Sequence, residues 1–438
     1  MDNSQKYNSI SARRFPKYQL DGKWEEDTVE NLFTFIPNNT LSRIELNYEK
    51  GDVLNIHYGD ILIKFEDCLD VKKEVLPYIT DDGIARKLSN TTLKAGDVVI
   101  ADTAEDESAG KCIEIINLTN ESIVAGLHTI AIRPKREFAS RYLGFYMNSN
   151  LYRSQLFRLM QGVKVTSISK SALKKTTIRF PSSIEEQSRI AEVLFLLDGI
   201  ITECNSKLEI LKSYKEGLMQ KLFPAKGQKV PELRFKEFDK EGEWEEKKLG
   251  ELFDRVTKRN AENNQNVLTI SAQYGLVSQY NYFNKNVAAL DVTNYYLINK
   301  GDFAYNKSRS QGYPYGAIKS LRLYDKGVVS TLYICFRGKK EVNSSTNFFE
   351  HYFETDLIND EIGRIAQEGA RNHGLLNIST DDFFNKVSII VPSLSEQKKI
   401  ADCLSSIDNM ISYYTEKLSL LEQHKKGLMQ LLFPNYNR

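Results

Sequence analysis

Residues 183–224 read SIEEQSRIAEVLFLLDGIITECNSKLEILKSYKEGLMQKLFP, and residues 393–434 read SLSEQKKIADCLSSIDNMISYYTEKLSLLEQHKKGLMQLLFP. The two stretches align without a gap at a constant offset of 210 residues. From Glu186 to Pro224, 18 of 39 positions are identical to their partners, where chance gives roughly two or three, so the chain contains an internal duplication. A period this long does not describe a solenoid. It describes two large modules in tandem.

Each copy reads as one long helix. Ser183-x-x-Glu186 and Ser393-x-x-Glu396 have the form of capping boxes, in which the serine accepts from an orphan N–H and the glutamate reaches back to another. Pro181 and Pro392 lie just upstream, while Pro224 and Pro434 stop the helices. Some 38 residues at about 1.5 Å each make a rod of roughly 57 Å. Apolar residues fall at Ile190, Leu194, Leu197, Ile201, Cys204, Leu208, Leu211, Leu218 and Leu222. The second copy repeats them at Ile400, Leu404, Ile407, Ile411, Tyr414, Leu418, Leu421, Leu428 and Leu432. Steps of three and four define a coiled-coil seam. A lysine interrupts each seam, Lys215 and Lys425. Two readings of these lysines stand side by side: a side chain that snorkels to solvent, or a polar seam residue that fixes register.

The roughly 170 residues between the helices suffice for one domain, and domain termini often lie close together, so the first helix is expected to end near the start of the second. That makes the pair antiparallel, with a domain at each end of the rod. Symmetric pairing sets Ile190 against Leu432, Lys425 against Leu197 and Lys215 against Ile407.

The domains themselves share a frame. Trp24-Glu25 followed by Leu32-Phe33 recurs as Trp244-Glu245 and Leu252-Phe253. Short runs such as DVLNIHYGDILIKF, LKAGDVVIADT and SIVAGLHTIAIRP read as strands between turns, as do NKGDFAYNKS and GVVSTLYICFRG in the second copy. Gly96-Asp97 corresponds to Gly301-Asp302. A helical stretch, a glycine loop (QGVKVTSIS; EGARNHGLLNIS) and a short final strand then close each domain.

Of 438 residues, 41% are hydrophobic and the formal net charge is +1, a length that suits two or three domains. Five cysteines (Cys68, Cys112, Cys204, Cys335, Cys403) show no C-x-x-C pair and no zinc spacing. The opening residues form no apolar signal segment, and nowhere do 18 apolar residues run together, so the chain is read as cytoplasmic. Arg13, Arg14 and Lys17 stand in a basic N-terminal arm, available to a phosphate backbone or merely part of an unordered terminus.

Catalytic patterns are absent. There is no Pro-Pro pair for a base-holding methyltransferase loop, no G-x-x-x-x-G-K-[ST] loop, and no paired histidines. Pro231-Glu232 followed by Glu245-x-Lys247 has the outline of a nuclease motif, but it sits in a polar entry segment, and metal-binding carboxylates need neighbouring core strands. What remains is recognition chemistry on loops. Lys307, Arg309, Gln311 and Tyr313 offer forked donors, an amide and an aromatic face, and Arg371, Asn372 and His373 occupy the second glycine loop. In the first domain the candidates are Gln161, Lys164, Thr166 and Ser167 on the glycine loop, with Asp102, Thr103 and Glu105 after the Gly-Asp strand.

The layout of variable domain, EQ-x-x-IA-x-x-L helix ending in GLMQ-x-LFP, variable domain and the same helix again resembles the specificity subunit of Type I restriction-modification enzymes. Pro231-Glu-Leu-Arg-Phe through Trp244-Glu245 to Leu249-Gly250-Glu251 is similar to a common opening of a target recognition domain in that family. The resemblance implies an α+β fold: two β-rich mixed target recognition domains (residues 1–181 and 225–391) separated by a pair of long antiparallel coiled-coil helices (182–224 and 392–438), with a pseudo-twofold internal duplication. It implies a non-catalytic subunit that reads a bipartite DNA target. It also implies two methyltransferase subunits bringing S-adenosylmethionine, docked on the helices, and two restriction subunits that use ATP and Mg. A rival reading from another class is a protein-interaction scaffold with two binding domains on the same rod and no DNA. Low net charge favours it, since phosphate contact usually demands basic surface; the paired, divergent loops oppose it.

Overall fold

The computed structural model describes residues 14–18, 24–162, 165–271, 275–283, 291–310, 312–342, 344–368, 374 and 376–433. Its contacts divide the chain into two compact units, Met1–Asn205 with Glu416–Arg438, and Ser206–Thr415. The boundary falls inside both long helices, Ile184–Leu222 and Leu394–Leu432. Each unit therefore holds the opening half of one helix and the closing half of the other.

In the first unit, Ile190, Ala191 and Leu194 share a core with Leu432 and Phe433, and Lys425 reaches Asp198. Ascending from 190 to 198 on one helix descends from 432 to 425 on the other, so the segments run antiparallel. The second unit repeats this with Ile400, Ala401 and Leu404 beside Leu222 and Phe223, and with Lys215 on Asp408. Leu197, Cys204, Leu208, Leu211 and Ile407 are buried; Ile201, Ile411, Tyr414, Leu418 and Leu421 are half-buried. The lysines do not snorkel. Each turns inward to a carboxylate one residue beyond the expected partner.

The EQ and LFP motifs have distinct structural tasks. Ser183 Oγ accepts from Glu186 N and Ser393 Oγ from Glu396 N, the serine half of a capping box. The glutamates do not reach back to the cap. Buried Glu186 takes a bidentate ion pair from Arg14 (2.8 and 2.6 Å), and buried Glu396 takes one from Arg234 (2.9 and 2.7 Å). A buried carboxylate needs a cation more than a second N–H, and a planar guanidinium supplies charge and two donors together. Arg14 is thus engaged with protein and not held out to a phosphate; Arg13 lies outside the described residues. Gln187 accepts from Ala139 N and donates to Pro181 O, while Gln397 accepts from Ser345 N and donates to Pro392 O. The LFP phenylalanines plug aromatic pockets: Phe433 meets Tyr142 and Tyr146 edge-on, and Phe223 packs on Phe348 and Tyr352.

Each unit is built on one main sheet that recurs, mixed in the first unit and antiparallel in the second. In the first, Phe33–Ile36, Thr129–Pro134, Val98–Ala101, Cys112–Ile116 and Cys68–Asp70 lie in that order; in the second, Phe253–Arg255, Ile334–Gly338, Phe303–Asn306 and Ala317–Ser320 do. An outlying antiparallel pair closes each domain, Glu25–Thr28 on Thr177–Phe180 and Glu245–Lys248 on Ser388–Val391. The Gly-Asp turns are held alike. Asp97 accepts from Lys94 N and a bidentate Arg133, and Asp302 accepts from Asn299 N and Arg337. Gly96 and Gly301 adopt φ of 87° and 88°, a backbone shape that side chains rarely take.

One run departs from its expected strand. DVLNIHYGDILIKF supplies a strand only at Leu54–Ile56; Tyr58–Ile63 is helical, with the His57 side chain accepting from Gly59 N as its cap. Ile61 and Phe65, four apart, both face the core, so a period of 3.6 outweighs the β-branched content.

Candidate nucleic-acid interface

In the first unit, the chain leaves the strand Val98–Ala101 through Asp102 and Thr103. Thr103-Ala104 then pairs antiparallel with Thr166-Ser167, and Ile168 N donates to Asp102 O at 2.8 Å. Gln161 and Ser167 bond each other in both directions, N to O, at 3.1 and 2.9 Å. Five predicted residues, Asp102, Thr103, Gln161, Thr166 and Ser167, therefore share one surface, with Gln161 and Ser167 exposed. Lys164 lies outside the described residues. Thr103 Oγ1 donates to Asp102 Oδ1 at 2.7 Å, and His128 Nδ1 stands 3.4 Å from that carboxylate.

In the second unit, the corresponding strand Phe303–Asn306 leads into Lys307. Ser310 and Tyr313 bond as a small hairpin (3.2 and 2.9 Å), and the loop returns through Gly316 at φ 80°. A Cβ at that glycine sits 2.2 Å from Asn306 O, so only glycine lets the return strand pass this close. Arg309 N donates to Gly374 O at 2.7 Å and Leu376 N to Lys307 O at 3.0 Å. The Lys307 loop and the second glycine loop are thus stitched together by backbone bonds. Burial lowers the pKa of the half-buried Lys307, and Lys319 Nζ lies 5.6 Å from the Tyr313 ring centroid. Gln311, Arg371, Asn372 and His373 lie outside the described residues.

Both units therefore set the same two segments side by side, one at the end of the Gly-Asp strand and one from the glycine loop, and fill them with different chemistry. Among the described residues no group of His, Cys, Asp and Glu could hold a metal ion, and no helix is long and apolar enough to cross a membrane. Glu245 and Lys247, from the nuclease-like outline, pair with each other at 2.9 Å on an exposed strand.

The family model described as the Type I restriction modification DNA specificity domain matches residues 45–212 and 241–423. The chain belongs to that family. As a DNA specificity protein it carries the domain twice, in line with the duplicated helices. It is 25% identical to a Methanocaldococcus jannaschii protein named as a type I restriction enzyme MjaX specificity subunit, over 94% of this chain and 93% of that one. It is 29% identical to the type I restriction enzyme MjaVIII specificity subunit of the same organism, over 66% and 69%. The fold resembles the Type-I restriction-modification system S subunit from M. genitalium, with a TM-score of 0.56 at 14% identity over 95% of this chain and 98% of that one. A chain from a study of complex assembly and conformational transition of the type I R-M system matches with a TM-score of 0.51 at 17% identity, over 95% and 99%.

Sequence reasoning passed over Asp198 and Asp408, gave Arg14 to a phosphate backbone, and saw Arg234 only as part of a domain opening; none was read as an ion-pair partner of a helix residue. Asp198 and Asp408 match at the offset of 210, and Arg14-Phe15 matches Arg234-Phe235 at 220, the offset of the two tryptophans. Identity at a constant offset was the available signal. It marks the partners of Lys425, Lys215, Glu186 and Glu396.

Proposed function

We propose that this chain is the non-catalytic reading subunit of a DNA-modifying assembly, and that each unit reads one half of a bipartite double-stranded target through the major groove. The observation that carries the reading is a duplicated scaffold that presents the same paired loops with divergent side chains. Asp102, Thr103, Gln161, Thr166 and Ser167 stand in one unit, against Lys307, Arg309 and Tyr313 in the other. Major-groove edges differ in their donors, acceptors and methyl groups, so two readers of different half-sites need one frame and two sets of side chains.

Phosphate contact dominates the affinity of most DNA binders, and a chain of net charge +1 supplies little of it. This supports a division of labour. Two methyltransferase subunits docked on the long helices bring S-adenosylmethionine and further basic surface, and two restriction subunits bring ATP and Mg. Residues 1–181 and 225–391 act as the recognition domains, 182–224 and 392–438 as the spacer, in a cytoplasmic complex. Co-expression with a methyltransferase partner in a host lacking its own system, followed by mapping of methylated adenines, tests the reading. One bipartite motif that appears only when this chain is present is the expected result; methylation without sequence preference, or none, overturns it.

A further inference from the structure

Each unit has a third segment level with the two loops, the turn that enters the strand Thr129–Pro134 or Ile334–Gly338. The bidentate pair of Arg133 with Asp97 and the pair of Arg337 with Asp302 set these strands in correspondence, so Ile130 matches Ile334 and His128 matches Leu332. In the first unit Thr129 pairs with Ala101, and one step further Asp102 N donates to His128 O at 3.0 Å. In the second unit Tyr305 pairs with Ile334, where the strand begins, and Leu332 stands in the turn two residues before it. Asp102 and Lys307 each follow the Gly-Asp aspartate by five residues. In the first unit the turn thus meets a recognition candidate, and in the second it enters the corresponding strand at the same place in the frame.

The two units place different side chains on this turn. His128 adopts φ 53°, in the left-handed region where histidine, with asparagine and aspartate, is found more often than other side chains, and its side chain is 47% exposed. Its ring faces Asp102 at 3.4 Å and Thr103 Oγ1 at 3.5 Å, and the Tyr58 ring braces it edge-on with centroids 5.2 Å apart. Leu332 is 62% exposed, a large apolar side chain with no core to fill. A single exposed leucine is ordinary on a protein surface; this one occupies the place in the shared frame that a braced polar ring holds in the first unit.

We propose that this turn is a third base-reading element, with His128 contributing a polar contact to a base edge of the first half-site and Leu332 packing on a thymine C5-methyl group in the second. The inference rests on the DNA-reading function proposed above. The position is fixed by the shared frame while its chemistry diverges, and imidazole and isobutyl suit the two kinds of feature a major groove displays, polar edge and methyl.

The test uses the full chain with its methyltransferase partner. Adenine methylation is first mapped for the wild-type chain, then for His128→Ala and Leu332→Ala; both residues are surface-exposed, and unchanged thermal unfolding checks the fold. His128→Ala is expected to relax one position of the first half-site only, and Leu332→Ala one position of the second only. Duplexes carrying the mapped target, with each second-half thymine replaced in turn by deoxyuridine, then probe the methyl group. One replacement is expected to weaken wild-type binding on the order of tenfold and to leave Leu332→Ala binding unchanged. Unchanged motifs in both variants, or no methyl dependence that Leu332→Ala removes, overturn the proposal. A wild-type chain that yields no bipartite motif refutes the underlying function instead, so the two failures are distinguishable.

Discussion

Lys425 Nζ stands 2.6 Å from Asp198 Oδ1 and 2.8 Å from Asp67 Oδ2, joining the two long-helix segments of the first unit to its recognition sheet through one ammonium. Burial works against the charge, but the two carboxylates hold the lysine above its ordinary pKa. Lys215 repeats the arrangement at 2.7 Å from Asp408 and 3.1 Å from Glu354. The helix aspartate is duplicated, whereas the domain carboxylate comes from unrelated places, Asp67 in one unit and Glu354 in the other. Lys425→Met leaves two largely buried carboxylates without a cation and is expected to cost about 2–4 kcal/mol in denaturant unfolding. Adding Asp67→Asn and Asp198→Asn should recover most of that loss, because the penalty belongs to the unpaired charges. A triple variant no more stable than Lys425→Met contradicts the account.

Acid should affect the two units in opposite senses. Burial, with Lys215 nearby, lowers the pKa of His351 to about 4 from 6.5. Between those values the unfolded chain binds a proton that the folded unit refuses, so this residue makes the second unit less stable as pH falls from 6.5 to 4, by up to about 3 kcal/mol. Glu114 is raised by burial to about 7 from 4.5, despite accepting from the backbone N–H of Gly144 and Arg141. There the folded unit holds the proton longer, so the first unit loses stability as pH rises from 4.5 to 7. Hydrogen exchange resolved by peptide and corrected for intrinsic rates should show protection near residues 346–352 falling on acidification, with protection near 112–116 and 142–148 rising. His351→Gln should flatten the first response and leave the second in place.

Gly316→Ala should disable the second recognition loop. Its φ of 80° and a Cβ only 2.2 Å from Asn306 O force the return strand away from Asn306, at a cost of about 2 kcal/mol or more. Methylation mapping should then lose discrimination at the second half-site while the first stays intact. Gly242→Ala, off the long helices and with nothing within 4 Å of an added Cβ, serves as the silent control.

The isolated chain is expected to bind DNA weakly and with strong salt dependence, and to become specific only with the methyltransferase partner, because its net charge of +1 leaves the phosphate contribution largely unmet. Filter binding across a salt series, with and without the partner, measures this. Tight specific binding by the chain alone at physiological salt contradicts it.

The duplicated helices were legible because identity at a fixed offset needs no knowledge of tertiary structure, and the Gly-Asp turns were legible because φ near 90° demands glycine. The helix Tyr58–Ile63 was hidden by its isoleucines, which suggest a strand until the spacing of Ile61 and Phe65 is counted. The task of Glu186 was misread for a different reason. A capping box is a local pattern, and its competitor, Arg14, lies 172 residues away in sequence. The loops were legible as loops, but that Asp102 bonds to Ile168 and Lys307 to Leu376 depends on long-range pairing that no local pattern encodes.

The most direct test of the central claim, that each unit reads its own half-site, is methylation mapping of two multiple variants. One combines Asp102→Asn, Thr103→Ala and Ser167→Ala; the other combines Lys307→Ala, Arg309→Ala and Tyr313→Ala. Each variant should change one half of the bipartite motif and leave the other half identical to wild type, with the two variants changing opposite halves. Loss of both halves in a folded variant, or the same half altered by both, would contradict the account.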